Sequence, residues 1–143
     1  MQFDLTVTID RPVEEVFAYL SDISRTPEWA GPPVEREKLT EGSIGVGTRI
    51  RAVDKLPGRR VVFIEEVTVY EPNQRITVRM EEPYNGDLDF VFEGTNNTTR
   101  LAASMDLKPT GLMGILSSML AGRIKRLFQK DLDNLKTILE SNA

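Results

Sequence analysis

Cysteine and histidine are both absent from this sequence of 143 residues. Without cysteine, the chain has no disulfide, no thiolate metal ligand and no cysteine nucleophile. Without histidine, it has no imidazole metal site and no catalysis of the Ser-His-Asp type. Any reaction must therefore use carboxylate, tyrosine, lysine, arginine or hydroxyl groups, and the sequence predicts neither a metal site nor a cofactor.

A strong charge bias and a long apolar run are also missing. The 18 basic and 22 acidic residues give a formal net charge of -4, so there is no general reason to expect nucleic acid as a partner. No apolar run approaches the roughly 20 residues that span a bilayer, and the N-terminus does not resemble a signal peptide. We therefore expect a cytoplasmic protein without stable membrane insertion, present as a monomer or homodimer.

The length and the hydrophobic content of 40% suit a single domain over residues 1–143. Strict alternation of apolar and polar residues from Phe3 to Ile9 predicts a half-buried strand. Asp10 is a candidate N-cap for a short helix, with Pro12 in its first turn. The apolar face of this helix is formed by Val13, Val16, Phe17 and Leu20.

About six further strand-like segments follow from Val34, separated by turn dipeptides such as Asn85-Gly86. Their short connections predict an antiparallel meander. Leucine and isoleucine then recur at helical spacing from Leu112 to Leu139, which predicts one long helix. Because only this helix can cover the apolar face of the sheet, the predicted fold class is α+β. A seven-stranded antiparallel sheet would wrap around the C-terminal helix, with short helices between strands 1 and 2.

Four segments resemble a known family in sequence and in order. They are IDRPVEEVFAYLSDISRTPEW, GSIGVGTRI, VTVYEPNQRITVRM and TTRLAASMDL, the last leading into the terminal helix. Together they resemble the SRPBCC, or START-like, superfamily with the helix-grip fold, above all its polyketide cyclase/dehydrase-like branch. The resemblance implies a cavity between the sheet and the C-terminal helix that binds apolar or amphipathic small molecules, such as lipids or polyketides.

Three polar residues are weak candidates for chemistry in such a cavity. Glu65 alternates with apolar strand residues, so it can point inward with a raised pKa, unless a bulge exchanges it with Glu66. Tyr84 could offer its hydroxyl to a ligand, and Arg51 could reach a ligand carboxylate. Each has an ordinary alternative: a salt-bridged or solvated strand residue for Glu65, local packing for Tyr84, and an exposed strand position opposite Ile50 for Arg51.

Ten apolar residues are candidates for ligand contact, although each could equally belong to the core. They are Trp29, Ile50, Phe63, Met80, Phe90, Phe92, Met105, Met113, Leu116 and Leu120. Trp29, the only tryptophan, follows Pro27 at the end of a connector. We expect it to act as an aromatic plug against the end of the sheet or the terminal helix, with direct ligand contact as the alternative.

Two other segments have more than one interpretation. GSIGVGTRI carries closely spaced glycines, but a strand rather than a helix follows it, which argues against a phosphate loop. In the resembled family such a loop borders the cavity mouth and is a candidate lid. GLMGILSSMLAGRIKRLFQK is basic and amphipathic, which suits either a membrane-surface helix or a helix packed on the sheet. Packing is favoured because the sheet has no other cover, and the small and methionine residues suit a cavity wall.

Binding of an apolar or amphipathic small molecule is the function that these observations favour. The alternative is a cyclase or dehydratase type of enzyme, in which cavity groups position a flexible substrate. A second alternative is a protein–protein adaptor of the chaperone-activator or ribosome-directed toxin type. Its sign would be an exposed apolar patch near Ile44 and Val46 or on the terminal helix.

Overall fold

The computed structural model describes residues 1–31 and 34–141. Its strands are β1 (Gln2–Ile9), β2 (Val34–Lys38), β3 (Arg49–Leu56), β4 (Arg59–Glu71), β5 (Arg75–Met80), β6 (Gly86–Thr95) and β7 (Thr98–Leu107). The helices are α1 (Val13–Ser21), α2 (Thr26–Trp29), α3 (Gly111–Met119) and α4 (Ala121–Ser141), with a 3₁₀ turn over Ile23–Arg25.

The strands form one antiparallel sheet in the order β1-β7-β6-β5-β4-β3-β2. Strands β2 to β7 form a meander, and the last strand, β7, pairs with β1. In this pairing Val7 lies opposite Leu101. The crossover through α1, the 3₁₀ turn and α2 therefore joins the two edges of the sheet. This arrangement confirms the predicted helix-grip fold and its α+β class.

Helix α4 covers the concave apolar face of the sheet. Its buried residues recur every three or four positions and are Phe128, Leu132, Leu135 and Leu139. Two hydrogen bonds hold its end against the start of the crossover. The Arg11 Nε donates to the Leu139 carbonyl at 3.0 Å, and the Asp10 N–H donates to the Glu140 Oε2 at 2.8 Å.

The expected N-cap of α1 is wrong. Pro12 itself occupies the cap position, and no side chain in the described part of the chain caps the helix. The Asp10 carboxylate instead accepts a hydrogen bond from the Thr98 hydroxyl at 3.4 Å. Asp10 lies too early in the chain, because the helix begins only at Val13.

The expectation of a single C-terminal helix also needs correction. Leu120 leaves the helical region of backbone space, with φ -113° and ψ 16°, and separates α3 from α4. Small residues such as Ser117, Ser118 and Gly122 flank this position, and helices commonly kink at such pairs. Of the side chains of α3, only Ser117 is buried.

Candidate functional site

A cavity of about 300 Å³ lies between the sheet and helices α2, α3 and α4. This volume is at the lower end of the range for small-molecule pockets. The inward residues of β3 to β7 form its sheet side, because alternate strand residues point to the same face. Seven of the ten predicted contact residues line it: Trp29, Ile50, Phe63, Met80, Phe90, Met105 and Met113.

Three of the predicted contact residues do not line this cavity. Phe92 is buried, but it packs under α1, with its ring centroid 5.1 Å from that of Phe17. Leu116 and Leu120 have exposed fractions of 39% and 43%. The break at Leu120 means that the four-residue leucine spacing does not mark one continuous inward face.

Of the three polar candidates, Glu65 and Tyr84 line the cavity and Arg51 does not. Arg51 is only partly buried, while its strand neighbours Ile50 and Ala52 are buried on the opposite face. The arginine of the cavity wall is Arg36 on β2, which sequence reasoning missed. The segment VEREK around it has no apolar alternation that would mark its inward face.

Arg36, Asp54, Glu65 and Tyr84 form a connected polar cluster at the cavity wall. The Arg36 Nε lies 2.9 Å from the Glu65 Oε1, and its Nη1 lies 3.2 Å from the Asp54 Oδ1. The Tyr84 hydroxyl donates to the Asp54 Oδ2 at 2.9 Å. The Phe63 ring supports the cluster, since Tyr84 meets it edge-on at 4.7 Å and the Arg36 guanidinium lies 5.5 Å from its centroid.

Burial decides the protonation behaviour of this cluster. Desolvation raises the pKa of Glu65 above its ordinary value, while the Arg36 guanidinium acts in the opposite direction. Burial and the neighbouring Asp54 carboxylate raise the pKa of Tyr84, so its phenol stays protonated. The cluster therefore combines a neutral phenol, a guanidinium and two carboxyl groups, and it can both donate and accept hydrogen bonds at one end of an apolar space.

Trp29 closes the cavity from α2, and only 6% of the residue is exposed. The Asn134 side chain on α4 donates to the Trp29 carbonyl at 3.4 Å, and the Tyr19 hydroxyl bonds Glu28 beside it at 2.6 Å. Among the described residues, the indole Nε1–H has no hydrogen-bond partner. An unpaired buried donor costs free energy, which an acceptor oxygen on a ligand could recover.

Asp131 on α4 also lines the cavity, and sequence reasoning did not select it. Its Oδ1 accepts a hydrogen bond from the Gly31 N–H at 3.0 Å, which ties the connector to the helix. Burial raises the pKa of Asp131 to about 6. Its charge therefore changes in the mildly acidic range.

The glycine-rich segment from Gly42 to Thr48 is followed by strand β3, as expected. Gly47 has a φ of 92°, a left-handed conformation that favours glycine at this turn. Ile44 lines the cavity and also a second, more open depression beside α1. It thus lies between the two spaces, where a lid would have to be; the lid itself stays a prediction.

Residues 1–31 and 34–141 contain no helix that is both long enough and apolar enough to cross a membrane.

Comparison with known proteins finds a matching family model and solved structures with a similar fold. A family model described as polyketide cyclase / dehydrase and lipid transport matches residues 1–140. No protein with a curated description matches the sequence.

Three solved structures illustrate the structural likeness. The Zhui aromatase/cyclase from Streptomyces sp. R1128 has a TM-score of 0.79 and 19% identity, covering 98% of this chain and 93% of that one. The protein TTHA0849 from Thermus thermophilus has a TM-score of 0.77 and 18% identity, covering 100% and 99%. A START superfamily protein from Mycobacterium smegmatis has a TM-score of 0.77 and 20% identity, covering 96% and 98%. Identities this low establish the shared fold alone.

Proposed function

The chain belongs to the polyketide cyclase / dehydrase and lipid transport family, and from this premise we propose that it binds an apolar or amphipathic small molecule in the cavity. The observation that carries the proposal is the cavity itself, an apolar space of about 300 Å³ with one polar cluster in its wall. Ligand sites in proteins have this composition, with apolar walls for affinity and a few polar groups for orientation.

Burial of the ligand supplies the driving force. Removing ~200 Å² of apolar ligand surface from water contributes roughly 5 kcal/mol. The Trp29 Nε1–H and the Tyr84–Asp54 pair then offer fixed polar contacts, so the ligand should carry hydroxyl or carbonyl oxygens. Among the described residues, the wall holds one guanidinium, from Arg36, and three carboxyl groups, from Asp54, Glu65 and Asp131. This balance disfavours a ligand that carries a carboxylate or phosphate deep in the cavity.

Two neighbouring serines on α3 provide a matched test. Ser117 is buried and lines the cavity, whereas Ser118 is exposed, and each hydroxyl donates to the carbonyl three residues earlier. We expect Ser117→Phe to fill the cavity and to abolish ligand binding, and Ser118→Phe to leave binding unchanged. Thermal-shift assays and native mass spectrometry against panels of lipids and aromatic polyketides would provide the ligand and the readout.

The result would count against the proposal if the native protein bound nothing across both panels. It would also do so if Ser117→Phe bound the identified ligand as tightly as the native protein.

A cyclase or dehydratase activity is the second candidate, and the buried Glu65 favours it. A carboxyl with a raised pKa, 2.9 Å from a guanidinium, can hold or release a proton beside an enclosed substrate. Enclosure alone can accelerate ring closure by positioning the reacting atoms. One structural neighbour is described as an aromatase/cyclase, which is compatible with this chemistry.

Glu65→Gln and Tyr84→Phe separate catalysis from binding once a ligand is known. If the protein is an enzyme, the two variants should still bind the substrate, while product formation measured by mass spectrometry falls at least tenfold, equivalent to ~1.4 kcal/mol. Unchanged rates in both variants would remove these residues from the mechanism.

A further inference from the structure

The outer side of α3 exposes a dense set of large apolar side chains. The exposed fractions of Leu112, Ile115 and Met119 are 57%, 63% and 76%. Leu116 and Leu120 are also exposed, so five large apolar residues face solvent within one short helix and its end. Scattered apolar residues on a surface are normal, but a contiguous patch of this kind marks an interaction site.

Unpaired positive charge accompanies this apolar patch. From Lys108 to Lys130 the sequence holds five basic and no acidic residues, in a chain whose net charge is -4. All five are exposed, and among the described residues none forms a salt bridge. Three of them lie on the first turns of α4, directly after α3, and are Arg123, Lys125 and Arg126.

We propose that the exposed face of α3, together with these basic residues, is a docking surface for an anionic phospholipid bilayer. We call it the docking face, made of Leu112, Ile115, Leu116, Met119 and Leu120 with Lys108, Arg123, Lys125, Arg126 and Lys130. A bilayer supplies both things that this face lacks, an apolar layer and a dense array of negative charge. Helices that lie in the membrane interface combine an apolar side with lysine and arginine in this way. The unpaired basic residues favour an anionic lipid surface, because each lysine or arginine near such a surface contributes ~1 kcal/mol to binding.

The docking face is the outer wall of the cavity. Met113 and Ser117, on the inner side of α3, line the cavity. Leu127 lines it as well, yet its exposed fraction is 42%, so it reaches from the cavity to the surface. A bilayer bound here would therefore lie against the outer side of the cavity wall. The docking itself does not depend on the cavity ligand.

Vesicle binding tests the docking face directly. Flotation would compare the native protein on vesicles of phosphatidylcholine alone with vesicles of phosphatidylcholine mixed with phosphatidylglycerol. We expect binding only to the mixed vesicles, and a progressive loss as NaCl is added. Because a lysine or arginine near an anionic surface contributes ~1 kcal/mol, each cation removed should weaken binding about fivefold.

Two double variants of the docking face test the proposal. Each is compared with a control that makes the same type of substitution on the outer face of the sheet. Ile115→Ser with Met119→Ser should abolish flotation, while Val62→Ser, at an exposed valine of β4, should not. Lys125→Glu with Arg126→Glu should weaken it by more than tenfold. Arg79→Glu with Arg100→Glu changes the net charge equally but should have a much smaller effect. Ser117→Phe fills the cavity without changing the docking face, so it should float like the native protein.

Several results would overturn the proposal. One is a failure of the native protein to float with anionic vesicles, and another is a loss of binding in the control variants as large as that in the docking-face variants. Loss of flotation in Ser117→Phe would assign membrane binding to the cavity instead. A further such result would be a dimer of the native protein in sedimentation equilibrium that is dissociated by Ile115→Ser with Met119→Ser. The face would then be assigned to a second copy of the chain. Failed ligand binding with intact flotation would overturn only the proposed function.

Discussion

The Arg36 Nε lies 2.9 Å from the Glu65 Oε1, although strand β3 lies between the strands of the two residues in the sheet. Arg36 on β2 is in register with Ala52 on β3, and Ala52 is in register with Phe63 on β4. The short Ala52 side chain leaves room for the guanidinium to cross β3 and reach a carboxylate on β4. The pair is nearly dry, because the exposed fractions of the two side chains are 11% and 9%.

Removing the guanidinium alone should be costly. Arg36→Leu leaves the Glu65 and Asp54 carboxyl groups beside an apolar cavity without their cation, and we expect a loss of ~3–5 kcal/mol in the free energy of unfolding. The double variant Arg36→Leu with Glu65→Leu should recover a large part of this loss, because the buried carboxylate is removed too. Urea unfolding of Arg36→Leu, of Glu65→Leu and of the double variant measures the coupling energy between the two side chains.

Arg51→Leu is the matched control, since it makes the same substitution on the outer face of the neighbouring strand. Its effect on the free energy of unfolding should stay within ~0.5 kcal/mol. A loss in Arg51→Leu as large as that in Arg36→Leu would show that the cavity cluster has no special role in stability.

The unpaired indole N–H of Trp29 predicts an unusual pair of substitutions. Trp29→Ala should lower the free energy of unfolding by ~3–5 kcal/mol, because it removes a large buried ring. Trp29→Phe keeps most of the ring and removes a buried donor that has no partner among the described residues, so it should cost less than ~1.5 kcal/mol. Ligand affinity should nevertheless fall in Trp29→Phe if a ligand oxygen accepts from Nε1. Thermal unfolding with and without ligand separates the two effects.

Asp131 makes stability depend on pH. Its pKa is raised from 3.8 to about 6 in the folded protein, so between these values the folded state binds more protons than the unfolded state. The contribution of Asp131 to the free energy of unfolding is therefore fully present below pH ~4. It is lost as the pH rises towards ~6, where the folded protein must bury the charged carboxylate. Asp131→Asn keeps an oxygen for the Gly31 N–H and removes this dependence.

We expect Asp131→Asn to be more stable than the native protein at pH 7 by ~1–2 kcal/mol, after allowance for solvent screening, and nearly equal to it below pH 4. Urea unfolding across this pH range measures the difference. Asp133→Asn, at an exposed position of the same helix, should give a curve parallel to that of the native protein. A constant difference between Asp131→Asn and the native protein at every pH would contradict the assignment.

The fold could be predicted from the sequence because its two periodicities are strong. Period-two alternation marked the strands, and turn residues marked their ends; Asn96 and Asn97, for example, both adopt the positive φ expected of a tight hairpin. The same alternation placed Glu65 correctly, since the bulge of β4 lies beyond it, between Val67 and Val69. Where the residues on one face of a strand are clearly apolar, a polar residue that continues their alternation can be predicted to point to the same face.

The parts of the site that were missed depend on contacts distant in sequence. Arg36 lies in a charged edge strand, and only pairing with Ala52 brings it over the cavity. Asp131 lies on α4 beside the connector glycine Gly31, which is far from it along the chain. Leu116 shares the periodicity of a core helix, but a periodic pattern does not reveal which side of a helix faces the sheet. Local sequence carries none of this information.

The break between α3 and α4 leads to a last prediction, made with two glycines. At Gly122 an added Cβ would meet only the Arg126 Nη1, at 3.9 Å, so alanine fits. Gly122→Ala should raise the free energy of unfolding by ~0.5–1 kcal/mol, because alanine favours a helix over glycine. At Gly114 the same Cβ would lie 2.8 Å from the Pro109 carbonyl oxygen, which belongs to the backbone.

Gly114→Ala must therefore move α3 away from the turn at Pro109, although alanine favours the helix here as well. We expect faster amide hydrogen exchange across residues 111–119 and weaker ligand binding, because this movement opens one wall of the cavity. Gly122→Ala should leave exchange in this segment unchanged or slower. Equally slow amide exchange of α3 in Gly114→Ala and Gly122→Ala would contradict this prediction. The close approach of α3 to Pro109 would then not determine the position of this helix over the cavity.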